Sequence, residues 1–340
     1  IGRSRLSPFG FRRTLLQLTL ITPFDPWASR TCTCPRKYSL SPYTGCSHKC
    51  LYCYITSYIP NPFEARPKKD FIKRLRREIP KADLNIPIAI ASSSDPYLPL
   101  EAEMSLTRET IQLLRDWSAR FLLITKSDLV TRDLDIIRNS SAAVSVTVTT
   151  LDDNVAGRLE PSAPRPDRRL EAIKTLVDAG IPCSVRIDPI IPGINSEKRQ
   201  LTLLIKELAA VGVKHITAST YKAKPNNYRR LIQGFPNLEK SLGRLYWRMG
   251  ESKGGARYLP LDLRIELIRQ VKQLAEAHGM SFASCREGLG HYSSAASCDS
   301  SHLIPVREAL DGMSRGGPKA RSAYPVAATG QDTVRLLTRL

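Results

Sequence analysis

The sequence predicts an α/β protein built on a parallel sheet, on three observations. Short apolar runs rich in β-branched residues alternate with longer amphipathic stretches through the middle of the chain. The series makes six such repeats plus one later strand, the pattern of right-handed crossovers onto parallel strands. At 340 residues and 42% hydrophobic side chains, the chain has material for one large core with appendages. An open sheet and a barrel both satisfy this alternation.

In chain order, a first strand is expected over 38–42 and a second over 86–92. A helix over 106–117 carries Ile111, Leu113 and Leu114 on one face, and the next strand covers 120–125. A helix over 131–139 leads to a strand over 142–149, in which Val144, Val146 and Val148 alternate. The helix over 166–179 stops at Gly180, as helices often end on glycine. A strand over 182–187, a helix over 197–211 and a strand over 215–219 follow. A long helix over 262–278, ended by Gly279, precedes a last short strand over 280–283.

Eight cysteines and no complete secretory signal point to a reducing, cytoplasmic compartment. The apolar run over 15–21 is too short and too interrupted for a membrane span, so no membrane partner is expected. The first residue is Ile, which leaves open a missing N-terminal segment. The balance of 51 Lys and Arg against 32 Asp and Glu gives a net charge of +19. That surplus creates a field that concentrates polyanions, chiefly nucleic acid.

The chemistry is concentrated in SPYTGCSHKCLYCYITSY, where Cys46, Cys50 and Cys53 have three and then two residues between them. Three thiolates at this spacing hold three irons of a cubane iron–sulfur cluster and leave the fourth open. An open metal position is what a catalytic site keeps and a structural site closes. With Tyr43-Thr44-Gly45 ahead of it and Tyr52 before the last cysteine, the run resembles the radical SAM superfamily. Within it the chain is similar to the spore photoproduct lyase-like group, also called DNA repair photolyase-like. The matching stretches are SPYTGCSHKCLYCY, SSSDPYLPLE, TTLDDNVAGRLEPSAPRPDRRLEAI and SCREG, over about residues 25 to 305.

The resemblance implies a partial (βα)6 TIM-type barrel with N- and C-terminal extensions. It implies a [4Fe–4S] cluster whose open iron is chelated by S-adenosylmethionine, a 5'-deoxyadenosyl radical and lyase-like chemistry. A reductant such as flavodoxin or ferredoxin would supply the electron. The expected organisation is an extension over 1–37, a core over 38–285 with a basic insertion at 222–257, and an extension over 286–340, flexible after about 305. Barrel sites lie at the carboxyl ends of the strands. The candidate cofactor contacts there are Ser93, Asp95, Thr149, Thr150, Arg186 and Asp188. Short hydroxyl and carboxylate side chains suit ribose hydroxyls, and the Arg fork suits a carboxylate. The Gly-Gly-Glu form usual after the second strand is absent.

Of the other cysteines, Cys183 opens an apolar strand and reads as a small core residue. Cys32, Cys34, Cys285 and Cys298 form two pairs flanking the core, the complement of a second iron–sulfur cluster or another metal, with His302 as a substitute ligand. Cys285 has a competing role as a catalytic thiol that donates hydrogen to a substrate radical. The insertion holds nine Lys or Arg against two Glu, with Tyr228, Tyr246, Trp247 and Tyr258 in or beside it. Basic groups with aromatic faces suit nucleic acid. The expected function is therefore a radical SAM enzyme acting on nucleic acid, in repair or modification. A peptide or protein substrate, or a non-enzymatic Fe–S nucleic-acid-binding protein, are the alternatives.

Overall fold

Eight strands hydrogen-bond side by side in chain order in a computed structural model that describes residues 18–24, 31–90 and 93–305. They are β1 (Thr22–Pro23), β2 (Tyr38–Leu40), β3 (Ile88–Ile90), β4 (Phe121–Thr125), β5 (Ala142–Thr147), β6 (Cys183–Ile190), β7 (His215–Thr220) and β8 (Ser281–Ser284). From β2 to β8 every pairing is parallel, and only β1 runs antiparallel to its neighbour.

Helices supply the crossovers: α1 (Phe71–Glu78), α2 (Leu106–Asp116), α3 (Asp153–Leu159), α4 (Pro166–Asp178), α5 (Lys198–Ala210), α6 (Pro225–Gly234) and α7 (Leu261–Ala277). Their buried residues recur at helical spacing, as Ile111, Leu113 and Leu114 do on α2 and Leu201, Leu204, Ile205 and Leu208 on α5. These stripes press on a sheet whose central strands β5 and β7 are buried along their whole length. Burial on both faces explains why these strands read as continuous apolar or small-residue runs. The register aligns Leu40, Ile90, Leu123, Val144 and Cys183 in one buried row. Cys183 is a core residue of that row, and burial pushes its thiol up to about 12.

The partial barrel expected from the sequence is the observed architecture. The sheet has two edges, and the ends of β2, β4, β5, β6 and β7 nevertheless border one cavity. The expected helix over 131–139 is shorter: a 3₁₀ segment Asp128–Asp133, capped by Ser127, runs into the single turn Leu134–Ile137. Several elements fall outside the expected series of strands and helices, α1 and α6 among them. β1 lies where no strand was expected, and α3 is capped by Asp152, whose side chain accepts from the Asn154 and Val155 amides. The expected flexible tail, from residue 306 onward, lies outside the described residues. Among those residues, no helix is long and apolar enough to cross a membrane.

Candidate active site

The cysteine loop follows β2 and begins at a turn only glycine can make. Gly45 has φ +76°, and a Cβ there would lie 2.2 Å from the Glu64 carbonyl oxygen. Backbone bonds then pin the loop: the Cys46 amide donates to Pro62 O (2.8 Å), the Leu51 amide to Leu159 O (2.9 Å) and the Ser162 amide to His48 O (3.2 Å). The Ser94 hydroxyl donates to Gly45 O from the exit of β3.

From the other side, α6 clamps the loop. Arg230 Nη2 donates to the carbonyls of Cys50 (3.1 Å), Leu51 (2.7 Å) and Cys53 (3.2 Å), and Asn227 Nδ2 to that of Tyr52 (3.0 Å). A Cβ on Gly234, the last residue of α6, would stand 2.3 Å from Leu51 Cδ1, so a larger residue there would push the end of the Leu51 side chain aside. A charge-assisted bond contributes about 1.5–3 kcal/mol when fully made, and here the two protons of one nitrogen are shared among three carbonyls. Arg230 thus shapes the loop backbone.

Beneath the loop lies a charged stack. The Tyr52 hydroxyl donates to Glu160, which pairs with Arg169 Nη1 at 2.6 Å, the acid and the guanidinium both buried. The Lys126 ammonium sits 5.6 Å from the centre of the Tyr52 ring. Burial opposes that charge, yet the neighbouring Cys50 and Glu160 outweigh it and hold the proton. Burial likewise opposes the Glu160 carboxylate, and Arg169 and Lys126 outweigh it. Burial pushes Cys46 up to about 11 and also raises Cys50 and Cys53. A bound metal reverses that, because a coordinating thiol is deprotonated.

All three thiols line one cavity of about 490 Å3, a volume within the range of small-molecule sites. Three thiolates from one loop, with room above them, fit a cubane whose remaining iron takes a small-molecule chelator. Among the described residues, no three His, Cys, Asp or Glu side chains converge on a single ion. A cubane makes no such demand, since each thiolate sits on a different iron.

Of the candidate cofactor contacts, Ser93, Asp95, Arg186 and Asp188 line the same cavity. Asp95 is heavily engaged, accepting from Thr125 Oγ1 (2.6 Å), the Lys126 amide (2.7 Å) and the Tyr97 amide (3.0 Å), with His48 Nδ1 at 3.5 Å. Burial lowers the His48 pKa, leaving a neutral imidazole there. Arg186 Nη2 bonds Asp188 at 2.7 Å and lies beside Cys285. Thr149 and Thr150 are not on the cavity wall; the strand ends at Thr147, which is. Beyond it the chain turns: Thr150 Oγ1 accepts the Asp152 amide, and Thr149 O accepts Asn195 Nδ2. Lys126, at the exit of β4, and Lys222, the first residue of the insertion, also line the cavity.

Cys34 and Cys285 reach the cavity, whereas Cys298 is buried behind it with its sulfur 3.4 Å from that of Cys34. His302 is engaged elsewhere, with Nδ1 2.7 Å from the Ser297 hydroxyl and its ring edge-on to His215.

The insertion differs most from its expected role. Tyr246 and Tyr258 are buried, and Tyr228 stands edge-on to Trp247 at 5.4 Å. Arg257 donates to the carbonyls of Tyr246, Trp247 and Gly250, and Arg230 serves the cysteine loop. Tyr246 and Tyr258 thus belong to a small core, while Trp247 stays 39% exposed. The cavity is lined instead by Tyr54 and Tyr58, stacked with centroids 6.2 Å apart and 37% and 46% exposed, and by Lys224 and Arg286, while Lys222 Nζ pairs with the buried Glu287.

Residues 40–205, which carry the cysteine loop and part of the cavity wall, match the family model described as Radical SAM superfamily. That family implies a [4Fe–4S] cluster and S-adenosylmethionine. An uncharacterised protein of Methanocaldococcus jannaschii is 32% identical over 162 residues, 46% of this chain and 62% of that protein. One from Acidianus two-tailed virus is 30% identical over 192 residues, covering 51% and 63%. A Pseudomonas phage M6 protein named radical SAM Nalpha-GlyT isomerase is 24% identical over 258 residues, covering 72% and 53%. The chain thus spans about three fifths or less of the length of these relatives. Among solved structures, spore photoproduct lyase complexed with dinucleoside spore photoproduct superposes with a TM-score of 0.59 at 20% identity, over 80% of each chain. This likeness is one of fold.

Proposed function

We propose that the chain is a radical SAM enzyme that acts on nucleic acid. One observation carries the reading: the three thiols of one loop line a cavity that is also lined by a stacked tyrosine pair and by the basic side chains of Lys224 and Arg286. When bound by Cys46, Cys50 and Cys53, a [4Fe–4S] cluster supplies the electron that cleaves S-adenosylmethionine to a hydrogen-abstracting radical. A reductant such as flavodoxin or ferredoxin provides that electron.

The chain's own residues bind and orient. Ser93, Arg186 and Asp188 offer hydrogen-bonding groups to the cofactor, and Asp95 fixes the turn beside them. Tyr54 and Tyr58 present faces for exposed bases, while Lys224 and Arg286 neutralise phosphate. The net charge of +19 draws a polyanion to the cavity. The shared fold with a lyase solved with a dinucleoside photoproduct supports the same substrate class.

The test is anaerobic reconstitution, reduction and incubation with S-adenosylmethionine, reading 5'-deoxyadenosine, beside binding to single-stranded DNA and RNA across a salt series. Cofactor cleavage and salt-sensitive binding are expected. Cleavage with no affinity for nucleic acid would favour a peptide or protein substrate. Binding with no cleavage would leave a non-enzymatic Fe–S protein.

A further inference from the structure

The two ends of the described barrel meet at a seam, and four thiols collect there. Cys32 and Cys34 lie on the strap leading into β2, Cys285 directly follows β8, and Cys298 lies thirteen residues further on. The strap is seated on the turn after β8: the Gly288 amide faces Thr31 O at 3.4 Å, and a Cβ on Gly290 would touch Thr33 Cγ2 at 2.9 Å. Cys298 is held from the barrel by Thr217 Oγ1, which donates to its carbonyl at 3.0 Å.

Within the seam, the sulfurs of Cys34 and Cys298 are 3.4 Å apart, and the Cys34 amide donates to Cys32 Sγ at 3.4 Å. Cys285 is within electrostatic reach of Cys34 and Cys298. Positive groups surround them. Lys37 Nζ donates to Cys34 Sγ at 3.5 Å and pairs with the buried Asp299, and Arg186 stands beside Cys285.

Three occupancies compete. A Cys34–Cys298 disulfide would use two thiols and leave Cys32 and Cys285 without a role. A zinc site would close around one ion, yet no three of the described ligands converge on one, and Cys34 and Cys285 open on the cavity. A cubane uses four thiolates on four irons, gains from N–H donors to sulfur, and carries negative charge that nearby cations offset.

We infer that Cys32, Cys34, Cys285 and Cys298 ligate a second iron–sulfur cluster at the barrel seam, opening on the same cavity as the cysteine loop. All four irons then carry a protein thiolate, so this cluster leaves no iron for S-adenosylmethionine. Its roles are electron delivery or substrate contact. Ligation also removes Cys285 from the role of hydrogen donor. The inference stands on the four thiols and does not depend on the proposed reaction.

The experiment counts iron and acid-labile sulfide in anaerobically reconstituted full chain, with electron paramagnetic resonance after reduction. About eight irons per chain are expected for the unaltered protein. The triple variant Cys46→Ala, Cys50→Ala, Cys53→Ala should keep about four, with a reduced-cluster signal belonging to the seam alone. The double variant Cys32→Ala, Cys34→Ala should also fall to about four, and Cys298→Ser, a milder change, should shift the seam signal. A triple variant without iron, one bound zinc in place of iron, or a Cys34–Cys298 disulfide in the anaerobic protein would each overturn the assignment. The triple variant separates this outcome from failure of the proposed function, since it lacks the first cluster altogether.

Discussion

Cys46, Cys50 and Cys53 sit within eight residues on one loop, whereas Cys34 and Cys298 meet across 264 positions. The loop is a local device. Its turn is set by Gly45, and its carbonyls are gathered by a single guanidinium. The seam is a closure device, held by the strap, the turn after β8 and the buried Lys37–Asp299 pair. Both groups of thiols lie at one cavity, but their presence there depends on different parts of the fold.

Breaking the local device at its thiols should have the largest effect. Cys46→Ala should reduce 5'-deoxyadenosine formation to background in a reduced-protein assay, with the secondary structure intact by circular dichroism. The charged stack comes next. Glu160→Ala strands Arg169 in the interior without its partner, and should cost about 3–5 kcal/mol in urea unfolding. Arg230→Ala removes three carbonyl contacts from the loop at once. The expectation is a loss of about 2 kcal/mol and a lower yield of first-cluster iron, partly restored by Arg230→Lys. If that yield is unchanged, the loop needs no clamp, and the contrast between the two devices weakens.

The smallest effect concerns the start of β7, near the seam. His215 is buried, bonded to the Ser281 and Thr217 hydroxyls, and faced by His302, Arg186 and Asp299. Burial chiefly, then His302 and Arg186, lower its pKa to about 3. The unfolded chain therefore binds more protons between about pH 6.5 and pH 3, so stability falls as pH drops through that window. A loss of up to about 2 kcal/mol is expected from pH 6.5 to 4.5 in urea titrations, and His215→Gln should flatten it. An unchanged slope in that variant would assign the acid sensitivity to other groups.

Much of this was legible in the residues. Helices α2, α4, α5 and α7 begin and end within a residue or so of their expected bounds, because amphipathic period and glycine stops are local properties. The cysteine loop was legible for the same reason. The insertion was misread because composition does not say which way an aromatic ring faces. Tyr246 and Tyr258 turned inward to join a core, and the exposed stacking pair lies on the cysteine loop, at Tyr54 and Tyr58. Thr149 and Thr150 were expected at a strand exit, but the strand stops two residues earlier.

By itself the sequence determined the repeated βα pattern, the triplet with its glycine turn, and the positive charge, since each depends on neighbours in the chain. Only the tertiary structure decided that Arg230 serves the loop, that Asp95 is engaged by the next strand, and that four distant thiols share a seam. Those pairings join residues tens to hundreds of positions apart. Burial and packing around the sheet select them, and no local pattern encodes them.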